Sequence, residues 1–259
     1  MTVQEVLADG ELAKAVRLQT RAVAAAPTPA GQLQLAELHL VAGDMRSAWD
    51  TLASIQSDDP AWSASRRGWR DLIRAAKRRD EGRRSLHPLS VDLPPHAKYR
   101  LRLAASLGAG SQQLASRYAD AADEASPELH GHADGQEFVG LRDLDDRFAS
   151  VLEVLFGKAY VVVPLERLDR IRLLPVVGVA DTVYRPAELR STDGEVWPCV
   201  LPLVYARSHE AGGEYALGYE TDCPDESSVS AVAVGARVWY FGENEGPLAE
   251  CRQIDLRLG

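Results

Sequence analysis

Apolar and small residues recur at a fixed interval over the first 130 positions of the chain. A leucine, a glycine and an alanine return 33 residues later and again 67 residues after that. The matched positions are Leu7, Gly10 and Ala15, then Leu40, Gly43 and Ala48, then Leu107, Gly110 and Ala115. A period of about 34 residues is typical of tetratricopeptide (TPR) repeats, in which two antiparallel helices form one unit. The pattern therefore predicts a TPR-like α/α superhelix over residues 1–130.

Residues at the expected helix boundaries agree with this prediction. Thr2 and Glu5 have the spacing of a capping box, in which each side chain accepts a hydrogen bond from the other residue's backbone N–H. Asp59-Pro60 is typical of a helix N-terminus. The third unit, roughly residues 61–93, lacks the central glycine and predicts one helix from about Trp62 to Gly82. An irregular helical bundle is the alternative to a regular array.

The segment from residue 134 to 173 joins two kinds of structure. Apolar residues within 144–156 lie at i, i+4, i+7, i+8 and i+11, which is the spacing of one buried helix face and predicts a helix. They are Leu144, Phe148, Val151, Leu152 and Leu155. The apolar run that follows, 160–164, predicts a buried strand that ends at a proline. We expect this segment to act as a hinge between the two halves.

The pattern from residue 159 onward is that of strands and turns. Runs at 183–189 and 196–205 are predicted strands, and Asp193-Gly194 between them is a strong hairpin signal. Pro198 and Pro202 predict that the second strand lies at a sheet edge or carries a bulge.

Further strands are expected over 231–241 and 249–258, with a loop over 207–228 between them and the hairpin. Successive strands without long helices predict an antiparallel meander or a small barrel-like sheet, and an α+β fold for the whole chain. The predicted division is a TPR-like domain at 1–130, a connecting segment and helix at 131–158, and a mostly antiparallel β-rich domain at 159–259.

Composition narrows the classes of function. The net charge of −9 argues against general affinity for nucleic acid, because such proteins usually have a basic surface. The three cysteines lie far apart without C-x-x-C spacing, so they suggest neither a zinc site nor a disulfide framework. The N-terminus lacks the pattern of a signal peptide, and no apolar run reaches 18 residues. We therefore expect a soluble cytoplasmic protein that does not enter a membrane.

One predicted helix is strongly basic although the chain is acidic. Residues 66–84 include nine basic and three acidic residues. Four of the basic residues follow helical spacing and form what we call the basic stripe: Arg66, Arg70, Arg74 and Lys77. Such a stripe is either a solvated helix face, neutralised in part by the acidic loop at 210–226, or a docking surface for an acidic protein partner.

Side chains that could carry out chemistry are sparse. The nucleophile-elbow, P-loop and His-Glu-x-x-His patterns are absent from the sequence. His130, His132 and Asp134 could bind a metal, but a fourth ligand is missing, and a solvated linker is the simpler interpretation. We therefore predict no metal site and no cofactor.

A second polar group lies just before the predicted helix. Asp143, Asp145 and Asp146 could serve acid–base or divalent-metal chemistry. Because carboxylates at a helix N-terminus cap the backbone and complement the helix dipole, capping is the simpler explanation. We accordingly predict no catalytic residues.

The order of several short groups along the chain resembles the ImpE/SciE family, accessory proteins encoded with bacterial type VI secretion systems. The groups are Asp134 to Phe138, Asp145 with Arg147 and Phe148, Tyr160 with Pro164, Asp181 with Tyr184 and Pro186, and Gly235 with Arg237. One departure is Thr221-Asp222-Cys223, where the family pattern has a tryptophan after the acidic residue.

The resemblance implies a TPR-like N-terminal part and a non-enzymatic adaptor. Its expected partner is the small subunit of the contractile sheath or the ATPase that recycles the sheath. Two other classes of function stay open on the residues alone. One is a small-ligand sensor or enzyme with a site between the halves, lined by 134–148. The other is an oligomerisation module.

Overall fold

A computed structural model describes residues 2–223 and 230–259 of the chain. Helices form the N-terminal part and antiparallel strands the C-terminal part, so the α+β prediction is confirmed. The helices are α1 (Val3–Ala8), α2 (Leu12–Ala25), α3 (Pro29–Val41), α4 (Met45–Ser54), α5 (Pro60–Asp80), α6 (Pro95–Gly108), α7 (Gln112–Ala125) and α8 (Gly213–Ala216). The predicted loop at 207–228 contains α8, and its residues 224–228 lie outside the described residues.

Three helix hairpins turn at the glycines that the repeat predicts. Gly10, Gly43 and Gly110 connect α1 to α2, α3 to α4 and α6 to α7, and have φ angles of 74°, 75° and 72°. Residues with a side chain avoid this left-handed conformation, so glycine is favoured there. The alanine five residues after each glycine is fully buried, which lets the paired helices approach closely.

Helix boundaries also follow the predicted signals. Thr2 and Glu5 form the capping box at α1, with N···O distances of 3.2 and 2.7 Å. The Asp59 carboxylate caps α5 by accepting from the Ala61 N–H at 2.8 Å, and Pro60 is the first helical residue. The third unit is the single helix α5, as its missing glycine predicts.

The predicted helix over 144–156 is wrong. Residues 146–150 form consecutive turns, closed by the Phe148 N–H on the Asp145 carbonyl at 2.8 Å, and Val151–Phe156 is a strand. Almost every residue of that strand is buried. A strand buried on both faces is apolar at successive positions, and such a run cannot be distinguished from a helix face by spacing alone.

The strands form one large sheet and two small ones. The order in the eight-stranded sheet is β2-β1-β13-β6-β7-β8-β4-β5, and β12-β11-β3 and β10-β9 form the others. The strands are β1 (Leu129–Ala133), β2 (Gln136–Val139), β3 (Leu141–Asp143), β4 (Val151–Phe156), β5 (Ala159–Pro164), β6 (Leu168–Leu173), β7 (Tyr184–Ser191), β8 (Val196–Pro202), β9 (Thr221–Asp222), β10 (Val234–Gly235), β11 (Val238–Phe241), β12 (Asn244–Pro247) and β13 (Gln253–Leu258).

The sheet confirms the hairpin at Asp193-Gly194 and corrects two other predictions. β7 and β8 pair in register from Tyr184–Pro202 to Arg190–Val196. β8 is an interior strand rather than an edge, although its pairing with β4 is limited to Leu155 and Val200. The sheet is also not a simple meander, because β1 pairs with the last strand, β13.

The two parts of the chain share one apolar core. It contains side chains of the helices, such as Leu38 and Ile73, together with Val151, Leu155 and Tyr160 of the sheet. α5 packs on β4 and β5, and α3 packs on a 3-10 turn at Val179–Thr182. One side of the helical array is thus covered by the C-terminal part of the same chain. Within residues 2–223 and 230–259, no helix has the length and apolar character needed to cross a membrane.

Candidate docking surface on helix α5

The basic stripe lies on α5, beside α4. Arg74 and Lys77 are exposed, and Arg66 and Arg70 are half-buried. The opposite side of α5, which includes Ala75, Ala76 and Arg79, is buried. The four cations therefore share one exposed side of a helix whose other side is fixed against the rest of the protein.

An aromatic ring lies under two residues of the stripe. The guanidinium carbons of Arg70 and Arg74 are 4.4 and 5.0 Å from the centroid of the Trp49 ring on α4. Stacking of arginine on an aromatic ring stabilises both side chains in one orientation. Trp49 was not predicted as a site residue. Its sequence signal is weak, because a tryptophan on an amphipathic helix is more often a core residue.

A cavity of about 300 Å³ lies between α4 and α5 at this place, and we call it the α4–α5 groove. Apolar side chains and three cations line it: Met45, Trp49 and Ile73, with Arg46, Arg74 and Lys77. The structure thus brings Arg74 and Lys77 into one cavity, with Arg70 stacked on its tryptophan. Arg66 lies two helical turns before Arg74 and does not line the cavity.

Acids of α5 and its C-cap lie near these cations. Arg74 is 3.3 Å from Asp71, and Lys77 is 3.9 Å from Glu81. Both pairs are at the surface, where an ion pair contributes little and leaves the cations accessible to a partner. Within the part of the acidic loop 210–226 that the structure describes, no residue forms an ion pair with the stripe.

Buried charges fix α5 on the sheet. Arg79, at the end of α5, donates to both carboxylate oxygens of Glu153 on β4, at 3.1 and 2.7 Å. Arg237 donates to Glu153 and, at 2.5 Å, to Asp143. All four side chains are at most 1 % exposed. Two arginines and two carboxylates make the group neutral, which reduces the free-energy cost of burying the charges.

Neutral donors complete this buried charge network. Glu153 also accepts from the Tyr160 hydroxyl at 2.6 Å. Asp143 accepts from the Tyr205 hydroxyl at 2.7 Å and from the Trp239 indole N–H at 3.0 Å. Burial by itself would raise the pKa of Glu153, but Arg79 and Arg237 outweigh it and lower that pKa to about 2. The carboxylate is therefore ionised throughout the neutral range, and its role is to hold together α5, β4 and the segment between β10 and β11 that carries Arg237.

The strands that carry this network lie in a part of the chain that is similar to a known protein family. Residues 135–255 match the family model described as ImpE protein. The resemblance to the ImpE family is confirmed. We refer to residues 135–255 as the ImpE region.

Similarity to one bacterial protein extends over nearly the whole chain. The chain is 28% identical over 260 residues to the type VI secretion system accessory component TagJ of Pseudomonas aeruginosa, covering 99% of this chain and 91% of that protein. The crystal structure of protein VPA1032 from Vibrio parahaemolyticus has the same fold, with a TM-score of 0.87, 21% identity and coverage of 99% and 98% of the two chains.

Residues quoted for the ImpE resemblance lie in or around the buried charge network. Asp145 is fully buried and accepts from the Arg147 side chain, at 2.6 Å to its Nη2 atom. It also accepts from the Ala233 N–H at 2.9 Å, and Asp146 from the Ala231 N–H at 2.7 Å. These acids were predicted to cap a helix. That prediction is wrong, because they anchor the 231–233 segment instead.

The group formed by His130, His132 and Asp134, just before the ImpE region, also has a structural role. His130 and His132 lie on β1, an interior strand of the sheet, so the prediction of a solvated linker is wrong. Asp134 accepts from the backbone N–H groups of Arg252 and Gln253 at about 3 Å and ties the β1–β2 turn to β13. Among the described residues, no cluster of three or more His, Cys, Asp or Glu side chains could hold a metal ion.

One further polar group joins the helices to the ImpE region. His96 on α6 bonds to the Ser150 hydroxyl through Nδ1 at 2.8 Å and to Glu166 through Nε2 at 2.6 Å. Serine, histidine and acid are in the order of a hydrolase triad. Ser150 is only 7% exposed and His96 only 1%, so the hydroxyl is closed to a substrate and the group acts as a clamp.

Proposed function

We propose that this protein is a non-enzymatic adaptor of a bacterial type VI secretion system. It binds a peptide or helix of the small sheath subunit or of the ATPase that recycles the sheath. The observation that carries this proposal is the similarity to the accessory component TagJ, which extends over 99% of the chain and 91% of TagJ. A component that accompanies such a machine acts through contacts with proteins.

The α4–α5 groove is the surface that we assign to this contact. Trp49 and Met45 form an apolar surface in the groove, and Arg70, Arg74 and Lys77 provide positive charge around it. An amphipathic helix with an apolar face and flanking acids fits this arrangement, and helix-in-groove binding is a common mode of recognition. Exposed charges at the rim mainly raise the association rate, so binding should weaken as salt screens them.

Charge reversal tests this assignment. The variant Arg70→Glu with Arg74→Glu should slow association with the purified sheath subunit or ATPase of the same host and flatten its dependence on salt between about 0.05 and about 0.5 M. The matched control is Arg83→Glu with Arg84→Glu, which changes the net charge equally at two exposed arginines beyond α5. Surface plasmon resonance gives the rate constants, and circular dichroism verifies folding.

The possible outcomes test the assigned surface and the adaptor proposal separately. Binding that neither the reversal at Arg70 and Arg74 nor the salt concentration changes would make the basic stripe a solvated helix face. If neither the sheath subunit nor the ATPase binds the wild-type protein, and affinity capture from the native host recovers no component of the secretion system, the adaptor proposal itself is wrong.

A further inference from the structure

A second groove crosses the helical array on a different side of α5. Two adjoining cavities, of about 580 and 310 Å³, share the lining residues Ala30 and Leu33 of α3. The larger is also lined by Gln4 of α1 and by residues 176–179, and the smaller by Trp62 of α5. We call the two adjoining cavities together the α1–α3–α5 groove.

The ionisable residues that line this groove are both acids. Asp59 caps α5 and is exposed, whereas Glu37 lies in the middle of α3 and is only 7% exposed. The lining residues include no lysine, arginine or histidine. The α1–α3–α5 groove is therefore opposite in charge to the α4–α5 groove.

Glu37 is a buried carboxylate without a cationic partner. Its Oε2 atom accepts from the Ala180 N–H at 3.2 Å, and the Val179 N–H also donates to the carboxylate, but among the described residues no lysine, arginine or histidine pairs with it. Burial is the main cause that raises the pKa of Glu37, and the charge of nearby Asp181 acts in the same direction. Buried carboxylates are usually paired with a cation, because an unpaired charge is costly to remove from water.

The space around Glu37 depends on a glycine. A side-chain carbon at Gly178 would lie 2.5 Å from the carboxylate, so a larger residue there would displace the Glu37 side chain from its present position. Next to it, Val177 is 93% exposed although it is apolar. A buried acid and an exposed apolar side chain thus line the same cavity.

We infer that the α1–α3–α5 groove binds a partner-protein segment that presents a lysine or arginine beside an apolar side chain, with the cation on Glu37 and the apolar group against Leu33 and Val177. The inference rests on the proposed adaptor function and adds to it a contact of opposite charge to the basic stripe. The cation supplies the partner that the buried carboxylate lacks, and the apolar group removes Val177 from water.

A pair of model peptides tests the inference on the full chain. Both are fluorescein-labelled alanine–leucine peptides of about 16 residues, long enough for a helix to form on binding. One carries lysines along one face and the other glutamates at the same positions. Fluorescence anisotropy should show that Glu37→Gln lowers the affinity for the lysine peptide by about tenfold or more. The glutamine oxygen can still accept from the Ala180 N–H, so we expect this variant to fold.

Matched variants separate this contact from general attraction to an acidic protein. Glu124→Gln removes one exposed carboxylate on α7 and should leave the lysine peptide bound as before. Val177→Ser should weaken binding, whereas Leu86→Ser, at another apolar residue that is 90% exposed, should not. Because Val177 is exposed, its variant carries the test even if Glu37→Gln does not fold.

Defined results would overturn the inference. Equal binding of the lysine peptide to the wild type, Glu37→Gln and Val177→Ser would do so. A lower melting temperature of Glu37→Gln with unchanged affinity would make Glu37 only an anchor of the Val179–Thr182 turn. Failure of the proposed function can be distinguished from failure of this inference. The proposed function predicts that the reversal at Arg70 and Arg74 weakens binding of the glutamate peptide, whereas Glu37→Gln should leave binding of that peptide unchanged.

Discussion

Glu153 shows how a single residue connects the helices to the ImpE region. Its two oxygens accept from Arg79 of α5, from Arg237 and from Tyr160, and all of these groups are buried. Sequence reasoning assigned Arg79 to a run of nine basic residues and could not separate it from the others. Helical spacing states which residues share a side of a helix, but it does not show that one of them meets a buried carboxylate 74 positions later.

Removal of this carboxylate charge should destabilise the whole protein. Glu153→Gln leaves Arg79 and Arg237 buried with one fewer negative charge, and loss of one member of a buried ion network costs about 3–5 kcal/mol. Urea unfolding at pH 7 measures the difference. The control is Glu188→Gln, which removes a carboxylate that pairs with Arg172 and is more exposed than Glu153. It should cost no more than about 1 kcal/mol. Equal losses in the two variants would contradict the structural role of the network.

The same variant gives a pH dependence of known sign. The folded-state pKa of Glu153 is about 2, below the ordinary value of about 4.3 in an unfolded chain. The stability that its ionised form contributes is therefore fully present above about pH 4.3, and it is lost as the pH falls towards 2. The difference in unfolding free energy between the wild type and Glu153→Gln should shrink over that window. A constant difference would show that ionisation of Glu153 is not what stabilises the fold.

At the scale of elements, the sequence correctly predicted the turns, helix ends and hairpin that depend only on neighbouring residues. Turn glycines, the capping residues Thr2 and Asp59, and the Asp193-Gly194 hairpin all act over a few residues, and the structure confirms each of them. The strand Val151–Phe156 was predicted as part of a helix, because its burial on both faces depends on contacts that are distant in the sequence. The position of β8 inside the sheet is likewise decided by strand pairing, which the prolines alone could not reveal.

The hairpin glycines offer a prediction at this scale. Gly43 and Gly110 have nearly the same positive φ, so alanine at either position is strained by about 1–2 kcal/mol. A side-chain carbon at Gly43 would also lie 2.4 Å from the His209 ring, whereas none of the described atoms outside the immediate chain lies within 4 Å at Gly110. Gly43→Ala should therefore destabilise more than Gly110→Ala in thermal unfolding.

A second substitution separates the two causes. His209→Ala removes the obstructing ring, so in that background Gly43→Ala should cost about as much as Gly110→Ala does in the wild type. If the difference between the two glycine variants persists without the ring, the α3–α4 hairpin is not held against the 207–216 segment in the way that the structure shows.

At the scale of the whole molecule, the helical part and the sheet are joined by a shared core as well as by charges. Phe148 is 8% exposed and lies in the core that contains side chains of both parts. The guanidinium carbon of Arg237 is 5.0 Å from its ring centroid, so the ring also packs against the buried charge network. The sequence placed Phe148 in a helix but correctly placed it among buried residues. The division into domains at 130 and 158 stays a prediction.

The hinge prediction can be tested at this ring. Phe148→Ala should destabilise the helices and the sheet together, by about 3–5 kcal/mol, because a buried aromatic side chain is removed from a core that both parts share. Far-ultraviolet circular dichroism at 222 nm follows the helices, and tryptophan fluorescence follows the ImpE region through Trp197 and the fully buried Trp239. Because Trp49, Trp62 and Trp69 lie in the helical part, the fluorescence is compared with that of a variant in which these three are phenylalanine. Both signals should shift to the same lower melting temperature. If only the fluorescence signal of the ImpE region shifts and the helices melt as before, the two parts are independent and the segment around Phe148 does not couple them.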